Sequence, residues 1–165
     1  MIKSELQGSF SVKLLRDGKE IISLPRQGNL ILATRMASLG SMGSYLHVGT
    51  GSTAPQYTDI GLDNYLATSP IGDWQISNDV LNGTVYEKES FGVFDFGVGA
   101  VVGNISELGI SASTNPNAVF DTRALFKDGA GDPTTITVTA SDQLVVTYYI
   151  KKFIYLENQC GLPIW

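Results

Sequence analysis

Phe10-Ser11-Val12-Lys13-Leu14-Leu15-Arg16-Asp17-Gly18-Lys19-Glu20-Ile21-Ile22-Ser23-Leu24 reads as two strands and the turn between them. Phe10, Val12 and Leu14 alternate with Ser11, Lys13 and Leu15, the period of two that puts one set of side chains on one face of a sheet. Asp17-Gly18 supplies the positive φ angles of a tight turn, and residues 21–24 form the return strand, which Pro25 is predicted to end. The same pattern recurs where residues 74–77 and 84–96 bracket Asn82-Gly83, with a bulge expected at Gly92. Further strands are predicted near residues 45–48, 104–112, 119–126, 134–139 and 143–155. Helical spacing shows at Leu32, Met36 and Leu39, with Asn29 at the cap position and Gly40 as the stop, and residues 62–66 add another helical turn. Short strands at intervals of about ten residues, with one short α-helix near residues 29–39, predict a mainly β fold. The expected architecture is an antiparallel β-sandwich, jelly-roll-like or Ig-like.

The chain has 165 residues, enough for one core that buries roughly 70% of the unfolded surface. One domain over residues 1–165 is therefore expected, with residues 156–165 as an extended tail. Apolar residues make up 43% and charged residues 16%, against about a quarter charged in an ordinary globular domain. A weakly charged surface lowers the desolvation cost of protein contacts, and it suits a soluble monomer equally well. The net charge is −5, and the eleven Lys and Arg residues are scattered. Counterion release needs basic groups along one track, so direct nucleic-acid binding is not expected. The single cysteine, Cys160, has no internal disulfide partner and no zinc-type grouping. No apolar run approaches the roughly 18 residues of a membrane span, and the first residues lack the apolar core of a signal peptide.

Several phrases resemble chemical motifs and fail on context. Gly49-Thr50-Gly51-Ser52-Thr53-Ala54 fits G-x-G-x-x-A, but the dinucleotide fingerprint needs a helix N-terminus next, and Pro55-Gln56-Tyr57-Thr58 begins no helix. The glycines are read instead as permitting a sharp backbone path. Gly97, Gly99 and Gly103 precede a period-two strand and present no helix dipole to phosphate, which leaves a tight crossing or a loop that conforms to a partner. His47 is the only histidine, so any triad must be built on it, yet it sits inside a short strand as a packed residue would. Asp59 and Asp63, and Asp128 and Asp132, lack the graded oxygen series that calcium requires. Glu87, Glu89 and Asp95 alternate along one strand as a solvated face would. No catalytic residue, cofactor or metal is expected.

In this order, Val48-Gly49-Thr50-Gly51-Ser52-Thr53-Ala54-Pro55, Thr58-Asp59-Ile60-Gly61-Leu62, Ile105-Ser106-Glu107-Leu108-Gly109-Ile110, Thr122-Arg123-Ala124-Leu125-Phe126 and Gln143-Leu144-Val145-Val146-Thr147-Tyr148 resemble tailed-phage structural proteins. The similarity is to the virion-attaching N-terminal domains of tail and collar fibres, and it covers about two thirds of the chain. It implies a non-enzymatic virion protein, synthesised in the host cytoplasm, that binds other virion structural proteins and assembles as a homo-oligomer, a trimer or hexamer, without membrane contact. A fibre would continue into a shaft and tip where this sequence has Trp165, which favours a tail, collar, baseplate or adaptor role over host recognition. Capsid decoration is the alternative within that class. Outside it stand a carbohydrate-binding module stacking Trp74, Tyr57 or Tyr65 on a sugar, and a hydrolase built on His47 or the carboxylates. The expected contact residues are Gly49, Thr50, Gly51, Ser52, Thr53, Pro55 and Tyr57, then Gly97, Val98 and Gly99, then Leu162, Ile164 and Trp165. The tail either anchors in a neighbouring subunit or folds back on its own sheet.

Overall fold

The computed structural model describes residues 3–37 and 42–156. Strands β1 (Lys3–Arg16) and β2 (Lys19–Ile31) form the opening hairpin, with Arg16 opposite Lys19 across Asp17 (φ 51°) and Gly18 (φ 72°). Two left-handed residues in a two-residue loop make a type I′ turn, whose twist matches that of the strands. Pro25 does not end β2. The register slips between the Phe10 and Val12 pairs, placing an extra β2 residue at Pro25-Arg26. A bulge is where a strand tolerates a residue without an N–H. Beyond it, Asn29 pairs with Gly8, while Leu30 and Ile31 pair with Arg123 and Thr122.

Residues 29–31 are therefore strand, and the helix expected over 29–39 is shorter: α1 spans Ala33–Ala37, and residues 38–41 lie outside the described residues. Leu32 is the transition. Its N–H donates to the Asp121 carbonyl, and its own carbonyl accepts from Arg35 and Met36. Sheet partners on both sides of β2 outweigh the helical spacing of Leu32 and Met36.

After β3 (Tyr45–Gly49), residues 65–68 form strand β4 (Tyr65–Thr68) rather than a helical turn, because they pair with His47, Val48 and Gly49. The second hairpin joins β5 (Asp73–Asn82) to β6 (Val85–Val98) through Gly83-Thr84, with Asn82 paired to Val85 and Gly83 at φ 62°. Gly92 is not a bulge. It lies in register between Trp74 and Tyr148, and a Cβ there would come within 3.1 Å of the indole. The bulges fall at Ser77 and between Asp95 and Val98.

The remaining strands are β7 (Gly103–Ile105), β8 (Glu107–Ser111), β9 (Thr122–Leu125), β10 (Ile136–Val138) and β11 (Asp142–Tyr155). Nine strands form one antiparallel sheet in the order β4-β3-β8-β9-β2-β1-β11-β6-β5, and β10 pairs with β7. Leu46 and Val48 of β3, Phe10 and Val12 of β1, Phe94 of β6 and Tyr148 of β11 belong to a single buried cluster. The two ends of the sheet thus cover one core in a sandwich-like arrangement, joined by the two β2–β9 pairs. Alternate burial along β11 runs from Asp142 to Ile150 and then stops, so β1, β11, β6 and β5 continue as a blade beyond the core.

Gly109 tests how tightly β8 and β9 meet. A Cβ there would lie 2.5 Å from the Thr122 carbonyl oxygen and 2.7 Å from the Phe120 ring. Gly109→Ala is expected to destabilise by about 3 kcal/mol. Gly129→Ala, whose Cβ would meet nothing within 4 Å, should change stability by less than about 1 kcal/mol. Urea midpoints of the two variants against the parent check this pair.

Candidate functional site

Glu107 opens β8 and Arg123 lies in β9, diagonal neighbours on one face because Glu107 pairs with Leu125. Both side chains are buried, at 0% and 2% exposure. The Arg123 Nε and Nη2 donate to Glu107 Oε2 at 3.2 and 3.1 Å. The same carboxylate accepts backbone N–H bonds from Gly51 (2.9 Å), Asn64 (2.8 Å) and Asp63 (3.1 Å). The other Arg123 donors reach into the loop: Nη1 to Asp59 Oδ2 at 2.6 Å, and Nη2 to the Thr53 carbonyl at 2.9 Å and to Asp63 Oδ2 at 3.1 Å. One ion pair therefore fixes both ends of the connection between β3 and β4.

The loop sequence fits this role residue by residue. Gly49 and Gly51 do not have left-handed backbones, so conformational freedom is not what they contribute. A Cβ on Gly49 would stand 2.4 Å from the Asn64 carbonyl oxygen and 2.7 Å from Glu107 Oε1, and one on Gly51 would overlap the Glu107 oxygen and the Asp63 side chain. They are glycines because the Asn64 backbone and the acidic side chains occupy the space. Thr53 N donates to Asp63 Oδ2, Gln56 N to Asp59 Oδ2, and Asn64 Nδ2 to Thr50 Oγ1. Ser106 Oγ closes the other side by donating to the Gly51 carbonyl at 2.7 Å.

Burial alone would pull the Arg123 guanidinium down, but hydrogen bonds to Asp59 and Glu107 and the surrounding negative charge raise it. Hydrogen bonding from Thr53, with the Arg123 charge behind it, holds Asp63 below the usual carboxylate range. Three carboxylates around one guanidinium are balanced by the loop amides. Both Glu107 oxygens and the Oδ2 atoms of Asp59 and Asp63 are engaged, so what the network offers to a partner is its outer rim. There Ile60 (66% exposed) and Val119 (56%) border a cleft of about 410 Å³ that residues 58–63 and 116–119 line.

The expected contact residues divide into three groups. Gly49 ends β3, and it and Gly51 are buried against Glu107, so neither can touch a partner directly; Thr50, Ser52, Thr53, Pro55 and Tyr57 sit on the loop that this network holds, with Ser52, Thr53 and Tyr57 exposed. Gly97, Val98 and Gly99 belong to a different corner: Gly97 and Gly99 have φ of 79° and 73°, and Gly99 N donates to the Asp142 carbonyl beside the start of β11. Leu162, Ile164 and Trp165 lie outside the described residues, as does Cys160.

His47 is fully buried. Its Nε2 faces the Ser113 carbonyl at 3.0 Å, which can only accept, so the proton sits on Nε2 while Nδ1 accepts from the Thr68 hydroxyl at 2.8 Å. Phe120 packs on the ring at 4.6 Å. Desolvation lowers the His47 pKa and keeps the ring neutral. Asp128 Oδ1 accepts from the amides of Ala130 and Asp132, closing its own turn. Glu87 pairs with Lys151, Glu89 with Arg26, and Asp95 accepts from Gln143. Among the described residues no three His, Cys, Asp or Glu side chains gather as a metal site would need. Comparisons with protein-family models, curated proteins and solved structures find no match.

Two outcomes follow from the network and from His47. Arg123→Ala leaves Glu107 buried without its counter-charge and should cost about 3–5 kcal/mol. Arg123→Lys should recover only part, since an ammonium cannot reproduce the guanidinium fork; urea melts and amide exchange at Gly51 and Asn64 measure both. Stability should also fall in two stages on acidification. The depressed His47 pKa gives stability that is complete above about pH 6.5 and lost as pH falls through the folded-state value, and the depressed Asp63 does the same below about pH 4. His47→Gln should flatten only the upper stage in a pH series of urea midpoints.

Proposed function

We propose that this chain is a non-enzymatic structural component of a tailed-phage virion, in the tail, collar, baseplate or an adaptor, that assembles about a symmetry axis and binds other virion proteins. One observation carries the reading. The phrases that resemble virion-attaching domains supply the members of a single buried network: Gly51 and Thr53 from the first, Asp59 from the second, Glu107 from the third and Arg123 from the fourth. Separately the phrases are short. A loop anchored by one ion pair gives a physical reason for them to occur together and in that order.

The consequence suits an assembly role. A loop whose backbone amides and carbonyls are tied to buried side chains loses little entropy when it docks, so preorganisation contributes to affinity. Its apolar rim at Tyr57, Ile60 and Val119 is exposed. The histidine that a hydrolase would need is sealed under Phe120 with both ring nitrogens engaged. Trp74 is a poor sugar platform, since its ring packs edge-on against Phe94 and Tyr148.

Locating the chain in an electron-microscopy map of the intact particle tests the reading directly. A paired test uses Ile60→Asp with Val119→Asp. Both residues are exposed, so folding stability should change by no more than about 0.5 kcal/mol, while incorporation into particles falls several-fold. Normal incorporation of the folded double variant would remove this loop from the assembly surface.

A further inference from the structure

The blade beyond the core has one face that resembles an interior but has nothing over it among the described residues. Along β11, Tyr148 and Ile150 are still buried in the core, and Lys152 and Ile154 continue the same face beyond it. Cross-strand register adds Leu6 on β1, which packs against the edge of the core, Tyr86 and Lys88 on β6, and Ile76, Asp79 and Leu81 on β5. Ile76 and Leu81 are each 59% exposed. At the centre of this apolar field Lys152 stands directly opposite Lys88.

Like charges directly opposite each other across a ladder are destabilising, at a Cβ separation of about 5 Å. On the other face of the blade, Lys151 pairs with Glu87 at 2.6 Å. Among the described residues neither Lys88 nor Lys152 has an ion-pair partner. Asp79 lies across from Lys88 without closing an ion pair with it, and its Oδ1 accepts a hydrogen bond from the Tyr86 hydroxyl. Two opposed ammonium groups inside an apolar rim form a receptor for one carboxylate, which would accept from both and turn their repulsion into attraction.

We propose that this face docks an apolar protein element carrying a carboxylate at its centre, held by Lys88 and Lys152 together. A second copy laid face to face is disfavoured by charge, because four lysines would meet two Asp79 side chains. The element docked here is one partner of the assembly role above, and only its being a virion protein rests on that reading.

The test uses the full chain and two amphipathic helical peptides that differ only in Glu or Lys at the middle of the apolar stripe, followed by fluorescence anisotropy. The Glu peptide should bind at least about tenfold more tightly. Lys152→Glu should abolish that preference while raising the thermal midpoint, since the introduced carboxylate would face Lys88 on one side and Leu6 on the other; lost binding with gained stability cannot come from misfolding. Lys88→Glu with Lys152→Glu should reverse the preference toward the Lys peptide. Equal binding of both peptides, absence of binding, or an unchanged preference in Lys152→Glu overturns the proposal. So does a dimer in sedimentation that Lys152→Glu dissolves. An intramolecular disulfide between Cys160 and a Ser90→Cys variant also overturns it, since the chain's own C-terminal residues would then occupy the face. None of these readouts depends on particle incorporation, so the virion reading stands or falls separately.

Discussion

Arg123 carries a charge into the interior at 2% side-chain exposure, and the connection between β3 and β4 takes its form from that fact. A buried ion pair is not by itself a source of stability, because desolvating both ions offsets most of their attraction. Here the remaining hydrogen-bonding capacity of both partners is used on backbone groups and two carboxylates of one loop, so the pair acts mainly as a specifying device. An alternative loop path would leave Glu107 short of donors and Arg123 short of carbonyl and carboxylate oxygens. The penalty for the wrong conformation is large even where the net gain for the right one is small. Gly49 and Gly51 extend the same logic into sequence, since any larger residue would collide with the Glu107 carboxylate or with the Asn64 backbone bound to it.

The position of Arg123 along its strand adds a second dependence. Its backbone pairs with Leu30, one of the two residue pairs through which β2 joins the β9 side of the sheet to the β1 side. A join of two pairs contributes little cohesion compared with the core cluster that both sides cover, yet it sets how the two sides meet. The loop anchor and the corner of the sandwich-like arrangement are therefore built on one residue. Asp142 does comparable work at another turn, where Arg16 and Thr139 hold its carboxylate well below the usual range.

The parts of this fold that are legible in the sequence are those fixed by local rules. Asp17-Gly18 and the alternation of residues 142–150 are readable because turn chirality and the period of two act over a few residues. Residues 29–31 read as helix in the sequence, because the partners that make them strand, Gly8, Thr122 and Arg123, are far away along the chain. Gly92 reads as a bulge for a similar reason: its lack of a side chain answers to Trp74, not to the strand it belongs to. The loop at residues 49–61 is identifiable as a contact candidate, but its organising residues are not. Glu107 and Arg123 each stand as the one charge within an apolar phrase, and that mismatch between charge and setting is the available signal. Their pairing is not readable, since it depends on β8 and β9 lying side by side.

The blade shows what replaces a core where the sheet has none. On its outer face Arg26 stacks on Tyr149 at 3.8 Å and pairs with Glu89, while Lys151 pairs with Glu87 and lies over Phe153. Long basic side chains lying along aromatic rings cover apolar area while keeping their charged ends in water, so this face is complete without a second layer. The core-side face beyond Ile150 lacks that arrangement. Its lysines oppose each other instead of bridging to acids, and Ile76 and Leu81 stay open. The same three strands β1, β11 and β6 thus carry one face finished for solvent and one left with uncompensated charge and apolar surface. Strand propensity would be served equally well by either pattern, so the difference has to come from what each face meets.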